Sequence, residues 1–289
     1  MNYLLQVQKG IDYIESQLDS DIALRKVASE AGLSQWHFQR IFKALTNETL
    51  KTYIRSRRLS GALNKLISSN ERIIDISIAA GFESQESFTR AFKNTFDVTP
   101  NEARKMANKN MFINKIEFDA EYLKHINQGV SLTPEIYTQK EMLLVGVKTE
   151  FYSVDSEKNN MADKLPLLWN EFLPRVNDIS DKVPDLGYGI VRQTQDKTDL
   201  LEYYAACEVT QLNEIPKGMV SITIPQCRYA KFSHNGNVNK INNTVNYIYS
   251  SWLLQSGERH SYGPDIEIYG HEYVPDSDDS TIYYAIPLA

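Results

Sequence analysis

Ser34-Gln35-Trp36-His37-Phe38-Gln39-Arg40-Ile41-Phe42-Lys43 and Ser84-Gln85-Glu86-Ser87-Phe88-Thr89-Arg90-Ala91-Phe92-Lys93 are two copies of one pattern, 50 positions apart and identical at six of ten positions. Each follows a short apolar stretch ending in Ala-Gly, Ala31-Gly32 before the first and Ala80-Gly81 before the second. Apolar helix, glycine turn and serine-capped helix is the helix-turn-helix layout. Two in one chain can place helices in successive major grooves without dimerisation.

Helical spacing sorts each copy into two faces. In the first, Phe38, Ile41, Phe42 and Leu45 point inward, while Trp36, Gln39, Arg40 and Lys43 share the outward face. In the second, Phe88, Ala91, Phe92 and Phe96 are inward and Gln85, Glu86, Thr89 and Arg90 outward. Arginine can grip guanine bidentately and glutamine adenine, and Trp36 offers an apolar contact to a thymine methyl. Trp36, Gln39, Arg40, Gln85, Thr89 and Arg90 are therefore the candidate base readers, and His37, Lys43, Arg55, Arg57, Arg58 and Lys93 the candidate phosphate contacts. Two solvated faces of an ordinary helical domain are the competing explanation, and the duplication argues against it.

Around these copies, residues 1–109 read as helix. Leu4, Val7, Ile11, Ile14 and Leu18 keep helical spacing. Asp19-Ser20-Asp21 breaks that helix and is expected to cap the next. A long helix is expected from Thr49 to Ser68, and Pro100 closes the region. Residues 101–133 are of mixed polar character. From Glu135 the pattern turns to β-type runs at 142–151, 188–194, 202–209, 220–225, 228–233, 265–269 and 281–287. Helical stretches at 165–176 and 238–254 interrupt them. The order is a roughly duplicated α+β unit with helices on one face of a sheet.

Charge divides the chain in the same place. Of 289 residues, the first 109 hold 16 basic and 12 acidic side chains, a net of +4. The remainder holds 15 and 25, a net of −10, and together they make the chain's −6. The basic part suits phosphate and the acidic part does not. No apolar run is long enough to span a membrane, and no export signal is read. Cys207 and Cys227 are expected to be reduced thiols in a cytoplasmic protein, and no His/Cys cluster has metal-ligand spacing.

Three stretches carry a resemblance: Trp36 to Lys43, Tyr53-Ile54-Arg55-Ser56-Arg57-Arg58-Leu59, and Gly81 to Lys93, followed by Phe96-Asp97-Val98-Thr99-Pro100. They resemble the DNA-binding domain of the AraC/XylS family, closest to its MarA, SoxS and Rob subgroup. The resemblance implies a seven-helix domain that binds double-stranded DNA as a monomer and recruits RNA polymerase. Glu86 departs from the glutamine of relatives.

Residues 135–289 resemble the GyrI-like effector domain through Leu168-Trp169-Asn170-Glu171-Phe172-Leu173-Pro174, Phe232-Ser233-His234-Asn235-Gly236 and Gly263-Pro264-Asp265-Ile266-Glu267-Ile268-Tyr269. That implies a cleft between two pseudo-symmetric halves for hydrophobic, often cationic, compounds, with Glu267 facing the ligand. Most of the 17 tyrosines lie in this half, and aromatic walls around a carboxylate suit an organic cation. Trp169, Tyr188, Tyr204 and Tyr249 are the candidate walls, and His234 is expected to satisfy a turn.

The expected organisation is a DNA-binding domain at 1–108, a linker at 109–133 and an effector domain at 134–289. The expected protein is a cytoplasmic, non-enzymatic, ligand-sensing transcriptional activator with no cofactor. The alternatives make the C-terminal domain a small-molecule hydrolase or a protein-docking module.

Overall fold

The computed structural model describes residues 3–107, 111–116, 133–196 and 198–289. Most of the expected linker at 109–133 lies outside them. Seven helices lead the described residues: α1 (Tyr3–Ser16), α2 (Leu24–Glu30), α3 (Gln35–Thr46), α4 (Leu50–Ser68), α5 (Ile73–Ala79), α6 (Gln85–Phe96) and α7 (Pro100–Met106).

Local chemistry sets these boundaries. Ser34 and Ser84 accept from the backbone N–H of His37 and Ser87, capping α3 and α6, each cap contributing about 1 kcal/mol. Gly32 and Gly81 hold φ of 68° and 81° in the two turns, where a Cβ would add roughly 1–2 kcal/mol. Two expectations are corrected. The residue capping α2 is Ala23, without a side-chain bond, so Asp19-Ser20-Asp21 ends α1 and does not cap α2. Pro100 opens α7 rather than closing the region, because Thr99 and Glu102 form a reciprocal capping box around it.

The two helix-turn-helix halves have separate cores. Leu59, Leu63, Leu66, Ile76, Phe88, Phe92 and Phe96 make the second. In the first, Val7, Ile11, Phe38, Ile41, Phe42 and Tyr53 continue into C-terminal residues Phe232, Val245, Ile248, Tyr249 and Tyr284.

The C-terminal strands are β1 (Glu135–Gln139), β2 (Met142–Tyr152), β3 (Gly187–Gln193), β4 (Leu200–Val209), β5 (Val220–Ile224), β6 (Cys227–Asn235), β7 (Asp265–Tyr269) and β8 (Thr281–Leu288). They form one sheet in the order β1-β6-β8-β7-β3-β4-β2-β5. Every pairing is antiparallel. The halves mirror each other about β7 and β3, and each gives its first strand to the other's outer edge. β1 was not expected as a strand: Glu135, Ile136 and Thr138 are exposed, so its sequence carries no buried run.

Helix α8 (Met161–Phe172) covers one half. Helix α9 (Ile241–Tyr247), the π-helical turn Ile248–Trp252 and the short α10 (Leu253–Gln255) cover the other. Both pack on the same sheet face, as expected. Strand alternation gives that face Val191, Tyr203 and Ala205, and gives the opposite face Tyr188, Ile190, Tyr204 and Ile266.

Candidate effector cleft and DNA-reading faces

At the centre of the helix-covered face, β3 and β7 pair with Gly189 directly opposite Glu267. Glu267 is buried, and its Oε2 accepts from Tyr203 Oη at 2.6 Å and Tyr269 Oη at 2.9 Å. Trp169 of α8 donates Nε1–H to Tyr203 Oη at 3.1 Å and stands edge-on to Tyr269 at 5.1 Å. Burial pushes the Glu267 carboxyl up, and the two tyrosine hydroxyls pull against that rise. This is a carboxyl in an aromatic setting, and among the described residues no ion pair reaches it.

Two residues earlier on the same face, Asp265 is fully buried. Its Oδ2 accepts from Tyr249 Oη and Tyr284 Oη, both at 2.8 Å, and its Oδ1 from His260 Nε2 at 2.9 Å. Burial raises the pKa of Tyr203, Tyr249, Tyr269 and Tyr284 well above the usual phenol value, so all four act as neutral donors.

Helix α3 lies against this same face, which overturns an expectation. Trp36, His37, Gln39 and Arg40 are only 2, 1, 4 and 6 % exposed. The face expected to meet solvent and DNA is covered by the C-terminal domain. Arg40 Nη1 donates to Asp155 Oδ2 at 2.8 Å, and its guanidinium stands 5.4 Å from the Tyr249 ring centre. Burial disfavours the guanidinium charge, but Asp155, Tyr284, Tyr249 and Asp265 outweigh burial and raise its pKa. Trp36 packs with Val145, Val147, Leu201, Tyr203 and Ala205.

A hydrogen-bond chain ties α3 to β7. The backbone N–H of Tyr262 donates to His260 Nδ1 at 2.9 Å, so that nitrogen is an acceptor. His260 Nε2–H then donates to Asp265, and His37 Nε2–H donates to His260 Nδ1 at 3.0 Å. Gln193 at the end of β3 completes the chain, 3.0 Å from His37 Nδ1 and 2.7 Å from Ser34 Oγ. Burial first, then His260 and Arg40, drive the His37 pKa well down, so the imidazole is neutral. Glu157 accepts from Thr49 and Thr52, both at 2.9 Å, at the start of α4.

The second reading face is open. Gln85, Glu86, Arg90 and Lys93 are exposed on α6 and Thr89 is half-buried, so the expected side chains share one accessible surface. Arg55 is also exposed, while Lys43 is half-buried. Arg57 and Arg58 are structural rather than free for phosphate. Arg57 grips Glu15 through Nε and Nη2, each at 2.8 Å, and Arg58 bonds the carbonyls of Leu18 and Ser20. His234 satisfies Thr244 and the Asn237 carbonyl, as expected of a turn residue.

Of the four expected walls, Trp169 stands beside Glu267 and Tyr249 beside Asp265. Tyr188 and Tyr204 lie on the opposite sheet face, bonded to Glu208 and Glu202, and are corrected. Tyr203, Tyr269, Tyr284, Asp265 and His260 were missed. Period-two alternation with Glu267 was the signal available for Asp265 and Tyr269. Among the described residues no cluster of metal-ligating side chains occurs, and no helix is long and apolar enough to cross a membrane.

Comparison with known proteins follows the same division. A family model described as integron-associated effector binding protein matches residues 135–286, and one described as a helix-turn-helix domain matches residues 27–106. The multiple antibiotic resistance protein MarA of Escherichia coli K12 is 44% identical over 100 residues, covering 35% of this chain and 79% of its own. The transcriptional regulator Rob of Salmonella typhimurium is 28% identical over 278 residues, covering 93% of this chain and 90% of its own. Among solved structures, SAV2435 bound to tetraphenylphosphonium aligns with a TM-score of 0.45 at 17% identity, over 54% of this chain and 93% of that one. An integron cassette protein of Vibrio cholerae aligns with a TM-score of 0.41 at 19% identity, over 55% of this chain and 100% of that one. The chain thus belongs through residues 135–286 to the integron-associated effector-binding proteins and through its helical region to the AraC-type family of MarA, a DNA-binding regulator with a ligand-binding C-terminal domain.

Proposed function

We propose that the effector is a lipophilic organic cation held at Glu267, and that the protein is a cytoplasmic, non-enzymatic transcriptional activator working with RNA polymerase. The observation that carries the cation is Glu267 itself, a buried carboxyl ringed by Tyr203, Tyr269 and Trp169 at the sheet centre. A cation there gains both a charge partner and aromatic faces. In a titration with tetraphenylphosphonium, Glu267→Gln is expected to weaken binding by about tenfold or more. Wild-type binding should strengthen as pH rises, because burial holds the carboxyl partly protonated above its ordinary value of about 4.3. Equal affinity of wild type and variant at every pH contradicts this assignment.

On the DNA side we assign base reading to Trp36, Gln39 and Arg40 of α3 and Gln85, Thr89 and Arg90 of α6. Phosphate contact falls to Arg55 and Lys93. Arg90 is exposed, so Arg90→Ala should leave the unfolding midpoint unchanged. It should cost about 1–3 kcal/mol of discrimination at one base pair of a duplex selected from a random pool by the full chain. A uniform loss across all sequences would make Arg90 a phosphate contact instead.

A further inference from the structure

A helix that reads DNA needs its polar face accessible, yet α3 has that face buried on the effector domain. The contact is built from opposite charge. Asp155 takes the Arg40 guanidinium at 2.8 Å, and Glu157 takes the hydroxyls of Thr49 and Thr52 at the start of α4. Both acids sit in the loop that follows β2. Arg40 also stands over the ring of Tyr249, whose hydroxyl donates to Asp265, two residues from Glu267 on the same strand.

The same contact is imperfectly satisfied. Among the described residues, six buried side-chain polar atoms lack a hydrogen-bond partner, and four are Trp36 Nε1, Gln39 Oε1, Arg40 Nε and Asp155 Oδ1. Buried polar atoms without partners disfavour the state that buries them. Gln39 and Arg40 are also side chains assigned to base edges, where such donors and acceptors find partners. The contact therefore combines strong charge pairing with orphaned reading groups, as expected of an arrangement made to open.

We propose that α3 is a tethered cap on the effector domain: Arg40, paired with Asp155 and standing over the Tyr249 ring, holds the first DNA-reading helix against the sheet face that carries Glu267, and a lipophilic cation bound at Glu267 releases it. The proposal rests on the cation reading of Glu267 given above. The loop acids Asp155 and Glu157 stand where DNA phosphate and base edges would, which gives the net −10 of the C-terminal part a role against the +4 of the helical part. Effector thus raises DNA affinity, and by linkage DNA raises effector affinity by the same factor. The reading face of α6 is exposed in this arrangement, so the closed protein keeps one reading helix.

The test uses full-length protein, tetraphenylphosphonium and a duplex selected from a random pool by the full chain. Asp155→Asn removes the partner of Arg40 without touching a DNA-reading residue. It is expected to raise DNA affinity in the absence of the cation by about 10- to 100-fold and to abolish further stimulation by it. Glu157→Gln is exposed and should fold normally, with a smaller gain in the same direction. In wild type, saturating cation should raise both DNA affinity and amide exchange across Gln35–Thr46. Unchanged DNA affinity in both variants overturns the proposal. So does cation binding, seen by calorimetry, that leaves DNA affinity and α3 exchange unaltered, while the effector reading survives. Absence of cation binding sinks that reading and cation release together, and a gain in the two variants would then still establish that α3 is sequestered.

Discussion

Asp265→Ala is expected to destabilise the protein by about 4 kcal/mol. Asp265 is fully buried, and its carboxylate is the acceptor for Tyr249, Tyr284 and His260. Alanine would leave three buried donors without an acceptor, each costing about 1–3 kcal/mol if no new partner is found. The loss reaches beyond the sheet, because His260 passes the bond on to His37 of α3. Asp265→Asn keeps one acceptor oxygen and should lose clearly less. Chemical denaturation measures both. An alanine variant with a wild-type midpoint would show that the tyrosine and histidine bonds add nothing to stability.

Gly189→Ala is expected to weaken cation binding while the domain still folds. A Cβ on Gly189 would run into Tyr203 Oη and Glu267 Oε2, nearer than real Cβ atoms approach. Tyr203 and Glu267 must then separate, losing the 2.6 Å bond that holds the carboxyl in place. Overpacking of this kind costs about 1–3 kcal/mol of stability, and tetraphenylphosphonium affinity should fall by about tenfold or more. Gly187, two residues earlier on the same face, is the control: its Cβ would meet Trp169 at 3.7 Å, an ordinary contact. Gly187→Ala should bind as wild type does. Equal binding by the two alanine variants would remove Tyr203 and Glu267 from the site.

Much of this architecture was legible because it is local. Ser34 and Ser84 announce their helices by capping them, and Gly32 and Gly81 announce the turns by adopting positive φ. The strands from β2 to β8 follow from alternating or continuous apolar runs, whereas β1 escaped because its side chains are mostly exposed. Glu267 was legible through a motif. Its partners were harder to find, since Tyr203 and Tyr204 are adjacent and alternation alone does not say which one shares the face of Glu267.

The sequence by itself determined two helix-turn-helix units, a basic helical part and an acidic α+β part. Capping, periodicity and charge are properties of neighbouring residues, and they act before any long-range contact forms. Only the tertiary structure decided where the polar face of α3 goes. Arg40 has the same chemistry whether it meets a base pair or Asp155, because an arginine fork fits a guanine edge and a carboxylate alike. Which partner it has depends on a residue 115 positions away, brought opposite Arg40 by the fold.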